Sequence, residues 1–142
     1  MKNARLTISA LLALFVLLTP AFAQSASFRV QVPFEFAVGN HTLAAGEYKV
    51  TVMKPGMLQL ERLDGRGTAA VMTTYTGGGP NQDLRPRLIF HSYGNHYFLS
   101  QVWIDDVNVG HELFAPASEL RYAREGHQLQ TTLVAKGQQP NK

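Results

Sequence analysis

Apolar and polar residues alternate with a period of two along most of this chain, and that alternation limits it to a fold built from β-strands. Phe28, Val30 and Val32 are separated by polar residues, the pattern of a strand with one buried face. The same spacing returns over residues 48–52 and 58–60. About six to nine short strands joined by turns predict an all-β domain, either an antiparallel β-sandwich or a small barrel.

Proline and glycine indicate where the first strands bend or end. Pro33 interrupts the alternation before Phe34 and Phe36 resume it. Because proline has no N–H to donate to a neighbouring strand, we predict an edge strand or a bend at this position. Before Tyr48 we predict a tight turn in which Gly46 adopts a positive φ.

A first hairpin is predicted around Asp64-Gly65. This dipeptide favours a type I′ turn, which needs a positive φ at both central residues. With Asp64 and Gly65 at the centre, apolar residues pair with apolar ones and share one face of the hairpin. The expected pairs are Leu60 with Ala69, Leu58 with Val71, and Glu61 with Thr68 on the opposite face.

A second hairpin is predicted around Gly94-Asn95, a sequence suited to a type II′ turn with glycine first. In a regular register both of its faces are apolar, which indicates two central strands covered on both sides. One face is expected to carry Ile89, His91, Tyr93, His96, Phe98 and Val102. The other is expected to carry Leu88, Phe90, Tyr97 and Leu99, with Trp103 continuing it.

The C-terminal third contains the one helical pattern of the chain. Residues 116–124 predict a helix of two or three turns, with Ser118 as its N-cap and Gly126 at its end. A last strand is expected over residues 129–135. Residues 77–86, which are rich in glycine and polar residues, predict an exposed connecting loop.

The N-terminus has the three parts of a secretory signal peptide. Lys2 and Arg5 precede an apolar run over residues 6–18, and small residues follow it at the predicted cleavage site between Ala23 and Gln24. The alternative is a retained anchor, but a spanning helix needs ~20 apolar residues, and this run is shorter. We therefore predict an exported protein, periplasmic or extracellular, with no transmembrane anchor after cleavage.

Cleavage would leave 119 of the 142 residues, a suitable length for one domain. We predict a signal peptide over residues 1–23, a short lead over 24–27, one β-rich domain over 28–135 and a disordered tail over 136–142. The mature chain would carry 11 basic and 10 acidic residues, a balance that does not favour a nucleic-acid partner. Without cysteine it has neither disulfides nor a thiolate metal site.

Several motifs resemble an uncharacterised family of small exported bacterial proteins that are rich in β-strands. They comprise VPFEF at residues 32–36, Leu43, Ala45-Gly46 with Tyr48, Phe90, Tyr93-Gly94, Tyr97-Phe98-Leu99 and Val102-Trp103. The likeness extends over about residues 28 to 120, and one departure is Ala44, where members of the family often carry proline. The resemblance implies export and a β-rich fold, but it supplies no catalytic residues.

Two histidines are the candidate metal ligands. His91 and His96 share one face of the second hairpin in the predicted register, and imidazoles placed in this way could hold zinc or copper. No spacing in the sequence supplies a third ligand, and the positions of His111 and His127 relative to this hairpin do not follow from the sequence. The favoured interpretation is that His91 and His96 form a polar edge near the hairpin turn and bind no metal.

No catalytic or cofactor motif is present. Neither Ser92 nor Ser100 lies in a G-x-S-x-G sequence, and Glu119 beside Ser118 is typical of a helix start. The acidic turn at residues 106–110 lacks the glutamate of a calcium loop, because its twelfth position is alanine. We therefore expect a non-enzymatic exported binding or structural module without a cofactor, whose ligand and cell-envelope partner stay open. The alternative is an exported metal-dependent protein or enzyme with a site around His91 and His96.

Overall fold

The fold is described by a computed structural model that covers residues 25–54, 56–77, 85–104 and 109–134. The predicted signal peptide over residues 1–23, its cleavage site at Ala23 and Gln24, and the tail over residues 136–142 lie outside these ranges. Most of the predicted 77–86 loop and most of the acidic turn at 106–110 also lie outside them. Within the described ranges, no helix combines the length and the apolar character needed to cross a membrane.

Ten β-strands and one short helix form the described part of the chain, which confirms the predicted all-β class with a single C-terminal helix. The first five strands are β1 (Ser27–Val32), β2 (Phe36–Val38), β3 (His41–Leu43), β4 (Gly46–Lys54) and β5 (Met57–Arg62). The next four are β6 (Thr68–Gly77), β7 (Arg87–Tyr93), β8 (His96–Trp103) and β9 (Val109–Leu113). Helix α1 (Ala117–Arg124) and strand β10 (Gln130–Val134) follow.

The strands form one continuous mixed sheet that does not close into a barrel. The strand order begins β1-β4-β5-β6-β9-β8. On one side of β8 lies β7, which in turn pairs with β10. The β2–β3 hairpin joins the other side of β8, the side on which β9 also lies. Strand β1 lies at an edge of the sheet and ends at Val32, immediately before Pro33, which agrees with the first of the two outcomes predicted there, an edge strand or a bend. All strand pairs are antiparallel except β2 with β8, which meet in parallel where Ala37 pairs with Phe98.

Strand β6 divides the sheet into two halves that enclose one core. Its residues up to Met72 pair with β5, and those from Thr73 pair with β9. Both halves contribute to one cluster of buried side chains, so the sheet folds over on itself in the manner of a sandwich. Phe36 joins the two halves, because its ring centroid lies 5.3 Å from those of both Tyr48 and Phe90.

The first hairpin has the predicted register but a different turn. Leu60 pairs with Ala69, Leu58 with Val71 and Glu61 with Thr68, as expected. The Gly65 N–H donates to the Arg62 carbonyl at 2.9 Å, so the turn is centred on Leu63 and Asp64 rather than on Asp64 and Gly65. Gly65 follows these two residues with a positive φ of 73°, an arrangement typical of loops longer than two residues.

Gly46 has a different place in the fold from the one that the sequence indicated. The positive φ predicted for it is absent, because Gly46 begins β4 in register with Val32 and is not among the glycines of positive φ. A Cβ at this position would lie 2.7 Å from Nε of Arg62. Gly46 therefore makes room for the arginine side chain and does not form a turn.

The second hairpin contains a β-bulge that the alternation did not reveal. Gly94 has the positive φ expected of it, at 63°, and Tyr93 pairs with His96 across the two-residue turn. Further along, Phe90 pairs with Leu99 but Ile89 pairs with Gln101, so Ser100 is the extra residue of β8. A bulge reverses the side-chain alternation beyond it. The faces predicted for Val102 and Trp103 were therefore wrong: Val102 lies in the core, and Trp103 lies on the outer face.

The predicted helix and last strand are both present. Helix α1 covers Ala117–Arg124, and Gly126 follows it with a φ of 79°. Ser118 lies inside the helix and is not its cap, since Pro116 occupies the N-cap position without a side-chain hydrogen bond. Strand β10 pairs with β7 along its whole length, from Gln130 opposite Ser92 to Val134 opposite Leu88.

Candidate functional site

Helix α1 packs on the outer face of the β7–β8 hairpin, the face that points away from the core. Tyr122 of the helix meets two buried rings of the sheet, with its centroid 6.4 Å from that of Tyr93 and 5.9 Å from that of Phe98. Glu119 precedes Tyr122 by three residues, a spacing that places both on one side of a helix. The same side of α1 therefore brings an aromatic ring and a carboxylate onto the sheet.

Glu119 is buried and hydrogen-bonded to two residues of β7. The residue is only 4 % exposed, and its Oε1 lies 2.7 Å from Nδ1 of His91. The Tyr93 hydroxyl donates to the same oxygen at 3.3 Å. Burial raises the pKa of Tyr93, and the negative charge of Glu119 raises it further. Tyr93 therefore remains a protonated donor to the carboxylate.

His91 links Glu119 to the bulged residue of β8. Its second ring nitrogen, Nε2, lies 3.1 Å from Oγ of Ser100. An ionised carboxylate only accepts hydrogen bonds, so His91 donates from Nδ1, and a neutral imidazole then accepts at Nε2. With the imidazole neutral, the Ser100 hydroxyl is the donor in the second bond. We call this chain of three side chains the Ser100–His91–Glu119 relay.

A cleft opens beside the relay, between α1 and the junction of β2 with β8. Its volume is about 190 Å³. Eleven residues line it: Glu35, Phe36, Ala37, Thr42, Asn95, His96, Tyr97, Phe98, Ser118, Arg121 and Tyr122. Phe98 pairs directly with His91 across the hairpin, so the cleft and the relay are adjacent on the same face.

The mouth of the cleft combines aromatic rings with charged groups. The rings of His96 and Tyr122 are stacked with centroids 4.4 Å apart, and the Tyr122 hydroxyl lies 3.2 Å from Nε2 of His96. Cζ of Arg121 lies 5.8 Å from the centre of the Tyr122 ring. Arg121 and Glu35 are both exposed, so the cleft offers water-accessible groups of opposite charge beside a flat aromatic surface.

The two histidines predicted as metal candidates have different partners. His91 binds Glu119 and Ser100, whereas His96 is exposed near the hairpin turn and contacts Tyr122. Among the residues that the structure describes, no three histidine, aspartate or glutamate side chains are grouped as metal ligands. His111 lies elsewhere, buried beside Thr73, with its Nδ1 3.2 Å from Oγ1 of that residue.

Sequence reasoning missed the relay because its parts come from separate elements. Ser100 was expected to continue a regular strand, and Glu119 was assigned to the helix start. The register pairs His91 with Phe98, which is two residues before Ser100, so the hairpin pattern could have placed the serine near the imidazole. The docking of α1, which brings Glu119 to His91, has no signal in the local pattern.

The arrangement could bind a small molecule at the cleft and polarise a hydroxyl at the relay. The chain matches no family model, no curated protein and no solved structure. Its function is therefore inferred from the residues of the site.

Proposed function

We propose that this chain is an exported binding module that holds a small polar ligand in the cleft between α1 and the β2–β8 junction. The secretory pattern ending at Ala23 and the resemblance to exported β-rich proteins support a location outside the cytoplasm, in the periplasm or beyond it. The observation that carries the binding role is the convergence of Arg121, Glu35 and the His96–Tyr122 pair on one cleft.

The lining indicates the chemistry of the ligand. The Arg121 guanidinium has five N–H donors in a planar fork, which suits a carboxylate or a phosphate group. The stacked His96 and Tyr122 rings offer an apolar surface with polar edges, which suits the face of a sugar or another flat ring. Glu35 can accept hydrogen bonds from hydroxyl or ammonium groups.

The size of the cleft limits the ligand. At about 190 Å³ it is smaller than the ~300–1,000 Å³ pockets that take drug-sized molecules. A single sugar ring, a sugar acid or an amino acid is the class that fits this volume and this lining. We propose a small acidic ligand of this kind, with its anionic group on Arg121.

Ligand-observed NMR against hexoses, hexuronic acids and amino acids tests the proposal. Arg121→Ala should weaken the best ligand by at least about tenfold, since a hydrogen bond to a charged group contributes ~1.5–3 kcal/mol. Arg124→Ala is the matched control, because Arg124 belongs to the last turn of the same helix and does not line the cleft. Equal loss in both variants, or no binding of any compound, would contradict the assignment.

A further inference from the structure

We infer that Ser100 is an activated nucleophile, which would give the domain a reactivity toward small uncharged esters beyond ligand binding. The residues are the members of the Ser100–His91–Glu119 relay. In this assignment Ser100 attacks, His91 acts as its general base, and Glu119 is a positioning residue that orients the imidazole. Neither the cleft nor its ligand is needed for the inference.

The distances agree with those of hydroxyl activation. A nucleophile and its base have to lie within hydrogen-bond reach, roughly 2.6–3.2 Å, and a third group has to orient the base. Ser100 Oγ lies 3.1 Å from His91 Nε2, and His91 Nδ1 lies 2.7 Å from Glu119 Oε1. The order serine, imidazole, carboxylate is the one that catalytic triads share on unrelated folds.

The environment fixes the direction of proton transfer. Glu119 is 4 % exposed, and the Tyr93 hydroxyl occupies the same oxygen as a second donor. The carboxylate therefore holds His91 with Nδ1 protonated and Nε2 free to accept the serine proton.

The fold places the serine at an irregular point of its strand and leaves the base accessible. Ser100 is the extra residue of the β8 bulge, and bulges commonly re-aim a side chain next to active sites. The His91 side chain is 32 % exposed, whereas that of Glu119 is 6 % exposed. Ser100 itself is only 6 % exposed, so a small electrophile has to reach its hydroxyl from the side of the imidazole. Phe98 and the half-buried Ile89 flank it on the same face, which favours an uncharged substrate.

The reaction is balanced with water as the only co-reactant. The Ser100 oxygen attacks the ester carbonyl, its proton moves to His91 Nε2, and the bond to the alcohol oxygen breaks. The alcohol leaves with that proton, and an acyl group remains on Ser100. Water, deprotonated by the same nitrogen, then hydrolyses the acyl-serine, releases the carboxylic acid and restores the hydroxyl.

Labelling of the folded protein with diisopropyl fluorophosphate tests the inference. The Ser100 oxygen would displace fluoride from phosphorus, and intact-mass and peptide mass spectrometry would locate one phosphoryl group on Ser100. Ser100→Ala should abolish the label, and His91→Ala should slow it by at least about a hundredfold, the usual contribution of a general base. Ser27→Ala is the control that should label normally, because Ser27 lies on edge strand β1, far along the sheet from β8.

Two further variants separate positioning from simple packing. Glu119→Gln keeps the size of the side chain but removes its charge, so labelling should slow. Tyr93→Phe removes the other hydrogen bond to Glu119 and leaves the relay intact, so labelling should persist. Equal losses in the two variants would show that Glu119 acts only by anchoring α1 and would overturn its positioning role.

Folding of every variant is checked by circular dichroism, and Glu119→Gln serves as the deciding variant if His91→Ala fails to fold. Stopped-flow hydrolysis of p-nitrophenyl acetate is the second readout, with a burst of one nitrophenolate per chain expected before slower turnover. An unlabelled Ser100 in the folded parent, or labelling that is indifferent to the loss of the Glu119 charge, overturns the inference.

Discussion

The indole of Trp103 lies directly against the backbone of Gly110 on the neighbouring strand. The two residues are paired in register between β8 and β9, and a Cβ on Gly110 would come within 2.7 Å of the ring. On the adjacent strand β7, Cζ of Arg87 lies 4.7 Å from the centre of the same indole. The ring is thus covered on the outer face of the sheet, where it is only 4 % exposed.

Gly110→Ala should destabilise the domain, because the ring and the β9 backbone would have to move apart. Overpacking of this kind costs about 1–3 kcal/mol, which urea denaturation would measure as a lower midpoint. Gly77→Ala is the control: a Cβ there has no atom within 4 Å, and exposed substitutions usually change stability by less than ~0.5 kcal/mol. Equal stability of parent and Gly110→Ala would show that the ring does not lie where we place it.

Trp103→Ala should be more severe, since it removes a buried ring. The indole N–H donates to Oε1 of Gln101 at 3.2 Å, so the substitution also leaves that amide without this donor. We expect a loss of about 3–5 kcal/mol, a large part of the ~5–15 kcal/mol typical of small domains. Tryptophan emission of the parent should be blue-shifted and move to the red on unfolding. Emission typical of a water-exposed indole in the folded state would instead identify an aromatic binding surface.

His111 should make stability depend on pH. Burial lowers its pKa below the ordinary value near ~6.5, so the folded state favours the neutral ring. The unfolded chain therefore binds the proton first as the pH falls. The neutral ring therefore contributes its full stabilisation above pH ~6.5. This stabilisation is lost as the pH falls below ~6.5 and through the lowered pKa of His111 in the folded state.

Comparison of two histidine variants isolates that contribution. His111→Gln should flatten the dependence of the melting temperature on pH between about 7.5 and 5 relative to the parent. His127→Gln is the control for an exposed histidine, because half of the His127 side chain is exposed. Parallel profiles for the parent and His111→Gln would show that the imidazole is hydrated in the folded state.

Zinc and copper should not stabilise the purified domain, if His91 and His96 keep their separate partners. A metal that binds only the folded state at 100 times its Kd adds ~2.7 kcal/mol, which a thermal melt would resolve. A rise in melting temperature that disappears in both His91→Ala and His96→Ala would favour the metal-dependent alternative.

Processing by signal peptidase should produce a mature chain that starts at Gln24. Intact-mass measurement of the extracytoplasmic fraction checks this expectation directly. Recovery of a membrane-bound form that retains Met1 would instead support an uncleaved anchor.

The local sequence pattern was sufficient to predict the pairing of two strands that follow one another directly in the chain. The pairing of Leu58 with Val71 follows from alternation and a turn dipeptide, both of which are short-range signals. The bulge at Ser100 does not follow from them, because the residues on both sides of it are apolar and fit either face. The contact between Glu119 and His91 depends on how a helix docks on a sheet, and two turns of helix carry too little pattern to specify that.

The parallel contact between β2 and β8 affects when the domain can form during synthesis. Ala37 meets Phe98 only after about sixty intervening residues have been made, and closing so long a loop has an entropic cost that only later contacts can offset. The first three strands therefore emerge from the ribosome before a main partner of β2 exists. Strands β1, β4, β5 and β6 pair with one another and need no residue beyond β6 to do so, so the β2–β8 contact is a late step that joins an N-terminal part already able to form.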